Sequence, residues 1–416
     1  MHTVYRSRHG AALLAGILLA AVSPALAEDE TGGAPGAWLS TYTSARSLGL
    51  GGAFVGAADD AASVAWNPAG LSQLVPSEAR FESARLFESS INTFSIAVPG
   101  SRLPSVGLSV LWHRSGDFEK TNELNDPLGT FNESESAYLF TVSHGFTPQL
   151  AVGVNAKLVH QSVEEFSGGG FGVDLGAVYD VTESFRLGAS VLNVGGPSVT
   201  LRETEETYPT EIRAGAAASV LGERGLISAE IDVSDPGTRL HGGAEYWIHP
   251  SFALRIGMND KRASGGMGFR FGWNYQFDYG VTNHPLGLTH RVGLSYRFGG
   301  FFATAKADPE VFSPTGETAV TKIHLNSRTK SSADSWDLAF ISKSGEVVRH
   351  FGGKSKPPAH LLWDGKDDTG LPLPDGFYQY QLVVMDASGR RIESASRDVE
   401  IATGGPQGTV PAFTVR

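Results

Sequence analysis

From about residue 78 to residue 299, apolar and polar residues alternate with period two. Such alternation marks strands whose two faces meet different surroundings. Between Leu150 and Leu158 one face carries Leu150, Val152, Val154, Ala156 and Leu158, and the other carries Gly153, Asn155 and Lys157. The last strand sets Val292, Leu294, Tyr296 and Phe298 against Arg291, Gly293, Ser295 and Arg297. A soluble sandwich alternates too, so alternation alone leaves the choice open. Strands of about nine to twelve residues suit a tilted crossing of a bilayer. Aromatic residues gather near strand ends, as an interfacial girdle requires. Connections differ in length: short turns lie near 146–149, 180–184, 221–225 and 248–251, and longer polar loops near 116–134 and 195–209. In outer-membrane barrels the short side is periplasmic. Counting runs and turns predicts about fourteen strands, and an even number returns both ends of the wall to one side.

A mean hydropathy of -0.10 is compatible with this fold, because a barrel strand averages a lipid-facing row with a lumen-facing row. Beyond the N-terminus no segment is long and apolar enough for a membrane helix, which leaves an exported chain periplasmic, secreted or built as a closed outer-membrane barrel. Glycine is abundant, at 51 of 416 residues. Glycine weakens ordinary strands, so its recurrence on the polar face calls for a reason.

Arg6, Arg8 and His9 precede an apolar run from Ala11 to Val22, followed by Ala25-Leu26-Ala27. This pattern reads as an export signal cleaved before Glu28. Without residues 1–27 the formal charge of -11 becomes -13, since two arginines leave and no acid does. That balance argues against nucleic acid as a partner. Cysteine is absent, which excludes disulfides and thiolate chemistry.

Residues 44 to 71 read SARSLGLGGAFVGAADDAASVAWNPAGL. They are nearly all small, with neither a membrane-spanning apolar run nor the charged face of a surface helix. Such a segment packs inside something narrow, and the predicted barrel supplies the space. Beyond residue 300, turn signals SKSG, DDTG, LPDG and DASG separate about seven short strand-like runs, a pattern that fits an immunoglobulin-like sandwich.

No catalytic constellation is present. The twelve histidines are scattered, and Leu48-Gly49-Leu50-Gly51-Gly52 lacks the Lys-Ser/Thr of a phosphate loop. Asp59 and Asp60 form the acidic pair of the small-residue segment. They are expected to cap a short helix at Ala61 or to pair with lumen cations. Arg186, Arg255 and Arg297 are the candidate lumen cations, some of which are expected to hold the plug through its carboxylates; the other reading is a solvated polar lumen with no specific pairing. Asp364, Asp367 and Asp368 cluster in WDGKDDTG, where turn formation outweighs calcium binding because the spacing completes no EF-hand loop.

The segment ending in Trp66-Asn67-Pro68-Ala69-Gly70-Leu71 resembles the N-terminal signature of the FadL-like outer-membrane barrels, closest to the PorV/PorQ-type branch. The likeness spans roughly residues 36–300, with the distinctive residues in the first forty. It implies a fourteen-stranded barrel with an N-terminal hatch, and Asn67-Pro68-Ala69 matches the family's Asn-Pro-Ala element. In transporting members the hatch gates passage of hydrophobic molecules. FSPTGE, WDGKDDTG and LPDGFYQYQL resemble the FlgD-type immunoglobulin-like domain, a binding or structural module; the simplest FadL-like barrels end at the last strand.

The expected architecture is therefore all-β. A signal peptide (1–27) is followed by a plug (28–77), an outer-membrane barrel (78–300), a linker (301–312) and a periplasmic immunoglobulin-like domain (313–416). The expected function is non-enzymatic and needs no cofactor or metal: passive transport of small hydrophobic molecules past a hatch. Its candidate plug residues are Asp59, Asp60, Trp66, Asn67, Pro68 and Ala69. Outer-membrane lipid is the expected partner. The alternatives are a PorV-type component of protein secretion or surface attachment, docking envelope proteins through the C-terminal domain, and a purely structural membrane protein.

Overall fold

A computed structural model describes residues 44–403 together with 35–36 and 38–39, apart from positions 88, 101–102, 222–223, 235–236, 261, 272–273, 285–286, 317–318 and 388. The expected export signal lies outside the described residues. The chain divides into two compact units, the first reaching Arg297 and the second made chiefly of the residues from Phe298 onward.

Fourteen antiparallel strands close the first unit into a barrel. The first seven are β1 (Ser77–Leu86), β2 (Ser89–Val98), β3 (Ser105–Thr121), β4 (Pro127–Gly145), β5 (Leu150–Val163), β6 (Phe166–Thr182) and β7 (Phe185–Val194). A small hairpin follows, β8 (Ser198–Leu201) with β9 (Thr204–Thr207). The wall resumes with β10 (Glu211–Val220), β11 (Gly225–Ser234), β12 (Gly237–His249) and β13 (Phe252–Asn259). It ends with β14 (Arg262–Phe271), β15 (Tyr275–His284) and β16 (Gly287–Phe298), and β16 pairs with β1. Closure leaves no unpaired edge in the wall.

The alternation in the sequence maps onto the two faces of this wall. Leu254, Ile256 and Met258 are exposed on the outside of β13, while Arg255 is buried inside. On β16, Val292, Leu294 and Tyr296 are exposed and Arg291 and Ser295 are buried. The expected loop at 116–134 is largely strand instead: β3 and β4 run to 17 and 19 residues, past a bulge between Ser115 and Phe118. Cross-strand pairing carries this hairpin well past its neighbours in the wall.

The second unit holds a three-stranded sheet of β17 (Phe302–Asp308), β19 (Thr321–Arg328) and β22 (His360–Trp363). A larger sheet contains β18 (Val311–Phe312), β20 (Ala333–Ile341), β21 (Val347–Lys354), β23 (Gly376–Asp386), β24 (Arg391–Glu393) and β25 (Arg397–Ile401). Residues 301–312, expected as a linker, form β17 and β18, and Phe301, Ala303, Ala305, Ala307 and Phe312 join the core. Trp363 is fully buried there and stacks on Phe340 at 4.1 Å. The motif residues act locally. Trp363 Nε1 donates to the Lys366 carbonyl at 3.0 Å, and Tyr378 Oη donates to the Pro374 carbonyl at 2.7 Å. Asp367 accepts from the Thr369 and Leu371 backbone amides and from the Thr369 hydroxyl, which holds its carboxyl below the usual range and closes a turn.

Candidate functional site

The small-residue segment lies inside the barrel. It begins with α1 (Ala45–Gly49), capped by the Ser44 hydroxyl, and continues to α2 (Ser63–Trp66) and a 3₁₀ turn (Pro68–Gln73). Short helices separated by glycine turns keep it compact, and most of its residues from Ser44 to Leu74 are buried. We call this segment the hatch.

Lumen-facing glycines explain how it fits. A Cβ added to Gly153, Gly176, Gly188, Gly243 or Gly257 would come under 3.0 Å from hatch backbone or from Asn67 and Pro68. Only a residue without a side chain lets two backbones approach this closely. The abundance of glycine thus becomes a track for the hatch.

Polar side chains of the wall satisfy the hatch backbone. Glu230 accepts the Phe54 and Val55 amides at 2.7 and 2.6 Å and the Trp66 indole N–H at 3.2 Å. Glu82 accepts the Ala45 amide at 3.0 Å. Asn155 donates to the Val64 carbonyl at 2.6 Å, Ser190 to the Trp66 carbonyl at 3.0 Å, and Ser143 to the Ala69 carbonyl at 3.0 Å. Asn67 joins hatch to wall: its Nδ2 donates to the Val55 and Ala177 carbonyls at 2.9 and 3.1 Å, and its Oδ1 accepts the Ala69 amide. Pro68 opens the 3₁₀ turn, where its missing N–H removes nothing. The Arg213 guanidinium lies 4.1 Å above the Trp66 ring.

An ion network, buried except at Asp59, braces the N-terminal half of the hatch. Arg46 pairs with Asp59, with Asp60 at 3.2 Å and with Glu245 at 3.1 Å. Arg80 reaches Asp60 at 3.4 Å, Glu78 at 3.2 Å, Glu82 at 2.6 Å and Asp278 at 2.7 Å. Asp60 also accepts the Ala62 amide at 3.0 Å, while the α2 N-cap Ala62 carries no side-chain cap.

The three arginines expected to hold the hatch carboxylates lie elsewhere. Arg255 is buried between Glu245 at 2.6 Å and Asp278 at 2.8 Å, both on the wall. Arg297 meets Glu78 and Gln276. Arg186 pairs with Asp180 and touches the hatch at Gln73, 3.2 Å away. The cations on Asp60 are instead Arg46, from the hatch itself, and Arg80, on β1. Glu78, Arg80 and Glu82 alternate along β1, and Glu230 and Asp232 along β11, and all five are buried in the lumen; sequence reasoning missed them as hatch partners, because period two alone does not say which of them meets the hatch.

Beside the hatch the lumen turns apolar. Ala84, Ile91, Leu111, Ala137, Leu139 and Val159 face inward on β1 to β5. Against them pack Trp38, Leu39, Val64 and Leu71 from the hatch region and Val199 and Tyr208 from the β7–β10 connection. A water-sized cavity of about 10 Å³ remains between Leu39, Leu111, Leu139, Lys157 and Leu192.

No protein-family model matches the chain, and neither does any curated protein. Among solved structures the chain is similar to the CymD monoaromatic hydrocarbon channel, at 13% identity and TM-score 0.48, over 62% of this chain and 98% of that one. It is also similar to the toluene transporter TodX of Pseudomonas putida, at 13% identity and TM-score 0.45, over 60% and 96%. A third is a FadL homologue of Pseudomonas aeruginosa, at 12% identity and TM-score 0.44, over 62% and 99%.

Proposed function

We propose that the protein is an outer-membrane barrel that passes small hydrophobic molecules when its hatch moves. The observation that carries this reading is the apolar face of the lumen on β1 to β5, beside an otherwise charged interior. A pore serving only water and ions gains nothing from inward Ile91, Leu111 and Leu139, whereas an apolar ligand does. These side chains are now covered by Trp38, Leu39, Val64 and Leu71, so a ligand takes over contacts that the hatch region gives up. The outward row of exposed aliphatic and aromatic residues suits lipid. Passage is passive: capture at the long β3–β4 side, movement past the hatch, release to the periplasm or sideways into lipid.

The remaining assignments belong to the same proposal: a cleaved export signal, and a FlgD-like immunoglobulin-like C-terminal domain on the periplasmic side. A PorV-type role in secretion or surface attachment is the second reading, favoured by Leu124 and Leu128, which stand 81% and 59% exposed on the β3–β4 hairpin. The test is uptake of a small hydrophobic dye by cells with and without the protein, beside a count of proteins exported to the surface. Dye uptake that depends on the barrel supports passage. Unchanged uptake with lost surface proteins supports the second reading and overturns the first.

A further inference from the structure

We propose that the outside of β1 to β6 carries a binding site for the phosphorylated headgroup of an outer-leaflet glycolipid, gripped by Arg85 and Arg114. The inference rests on the outer-membrane reading. Three successive cross-strand rows on the outer face carry it. The innermost is Phe81, Phe94, Val110, Tyr138, Leu158 and Phe171. Two residues further along each strand comes Ser83, Asn92, Trp112, Ser136, His160 and Gly169. Two further again comes Arg85, Ser90, Arg114, Ser134, Ser162 and Ser167. Polarity thus climbs from aromatic, through a mixed row, to a row made wholly of guanidinium and hydroxyl groups. Lipid changes in the same order, from acyl chain through interface to headgroup.

The placement of charge is selective. Up to the bulge after Ser115, Arg85 and Arg114 are the only arginine or lysine residues at outward positions of the described barrel wall, and no acid shares those positions. The other wall arginines, such as Arg80, Arg213, Arg255 and Arg291, are buried in the lumen. The two outward ones are exposed, their guanidinium groups have no ion-pair or hydrogen-bond partner among the described residues, and they are separated by one residue, Ser90. Twice the strand spacing puts their backbones about 10 Å apart, within reach of one phosphorylated sugar. Guanidinium suits phosphate because its fork of N–H groups donates in pairs. Arg114 also lines an open concavity of about 560 Å³ with Thr130, Asn132, Ser134 and Ser162, which offer hydrogen bonds to a sugar. Glu164 and Glu165 stand at the same concavity, and Glu164 is paired with Lys120.

The test is native mass spectrometry of the full-length detergent-extracted protein with diphosphoryl lipid A. Its comparisons are the same lipid dephosphorylated, inorganic pyrophosphate, and the double variant Arg85→Gln with Arg114→Gln. Heat-modifiable mobility on a gel certifies that the variant barrel is folded. The expected result is retention of diphosphoryl lipid by the native protein about thirtyfold above the variant, from two surface cations near an anionic headgroup. The dephosphorylated lipid should be held weakly and equally by both. Equal retention of the phosphorylated lipid by native protein and folded variant overturns the site. Pyrophosphate binding as tight as lipid binding overturns the lipid as its occupant. A native chain recovered soluble from the periplasm overturns the outer-membrane reading itself, and is told apart by the missing heat-modifiable band.

Discussion

Glu230 is the wall residue that grips the hatch most directly, and Glu230→Ala should release it. The carboxylate takes three hatch donors: the Phe54 amide, the Val55 amide and the Trp66 indole. Truncation leaves all three buried without an acceptor. An orphaned buried donor costs about 1–3 kcal/mol, so the bound hatch loses about 3–9 kcal/mol. Water reaching the gap reduces the loss, and the lower end is the safer figure. Even about 3 kcal/mol multiplies the released population by more than about a hundredfold. Arg213 keeps its bond to Glu211 at 2.7 Å, so the wall remains compensated. The assay is added protease on reconstituted barrels, following cleavage within residues 44–74, with conductance in a planar bilayer alongside. Glu230→Gln keeps one carbonyl acceptor and should fall between the two. If Glu230→Ala matches the native protein in both cleavage rate and conductance, the hatch is not held by this carboxylate and the reasoning fails.

The double change Asp59→Asn with Asp60→Asn removes both hatch carboxylates, and with them the buried pair of Asp60 with Arg80 of the wall; breaking a buried pair costs about 3–5 kcal/mol, so hatch cleavage should speed up, and an unchanged rate would remove this pair from hatch anchorage. Gly188→Val places a side chain against the Val55 carbonyl, whereas nothing lies within 4 Å of a Cβ at Gly242; the first should raise open-channel frequency and Gly242→Ala should not, and equal effects would refute the glycine track. Trp363→Ala should destabilise the second unit by about 3–5 kcal/mol, read as a lower urea midpoint. Burial, and next the neighbouring Arg390, lower the Lys330 ammonium to about 8 from an ordinary value of 10.5. Between those values the unfolded chain holds more protons, so the second unit should gain stability as pH rises from 8 toward 10; pulse labelling at one fixed pH after urea equilibration measures it, and a falling midpoint would reverse the sign.

Much of this was legible in the residues because a barrel wall obeys a local rule. Val292 and Arg291 differ by one position, and period two alone sends one to the outer face and the other inside. The strand count followed from turn spacing. The hatch was legible as a segment, since SARSLGLGGAFVGAADDAAS suits no exposed surface. Its anchors were not, because contacts such as Glu230 with Val55, 175 positions apart, depend on how closure rotates the wall about the hatch. Arg186, Arg255 and Arg297 are lumen-facing as alternation implied, yet the lumen holds enough wall carboxylates to engage them before the hatch does. The β3–β4 extension was hidden because a strand whose two faces are both polar reads like loop.

The central claim is that passage requires the hatch to leave its seat, and a reversible lock tests it most directly. The chain has no cysteine, and the Ser72 and Ser143 hydroxyl oxygens lie 2.6 Å apart across the hatch–wall boundary, so cysteines at these positions would bring their sulfurs close together. Uptake of a small hydrophobic dye is measured in cells carrying Ser72→Cys with Ser143→Cys, oxidised and then reduced. The account predicts uptake abolished when the disulfide is closed and restored on reduction. Equal uptake in both states, with the disulfide shown to be formed, would contradict it.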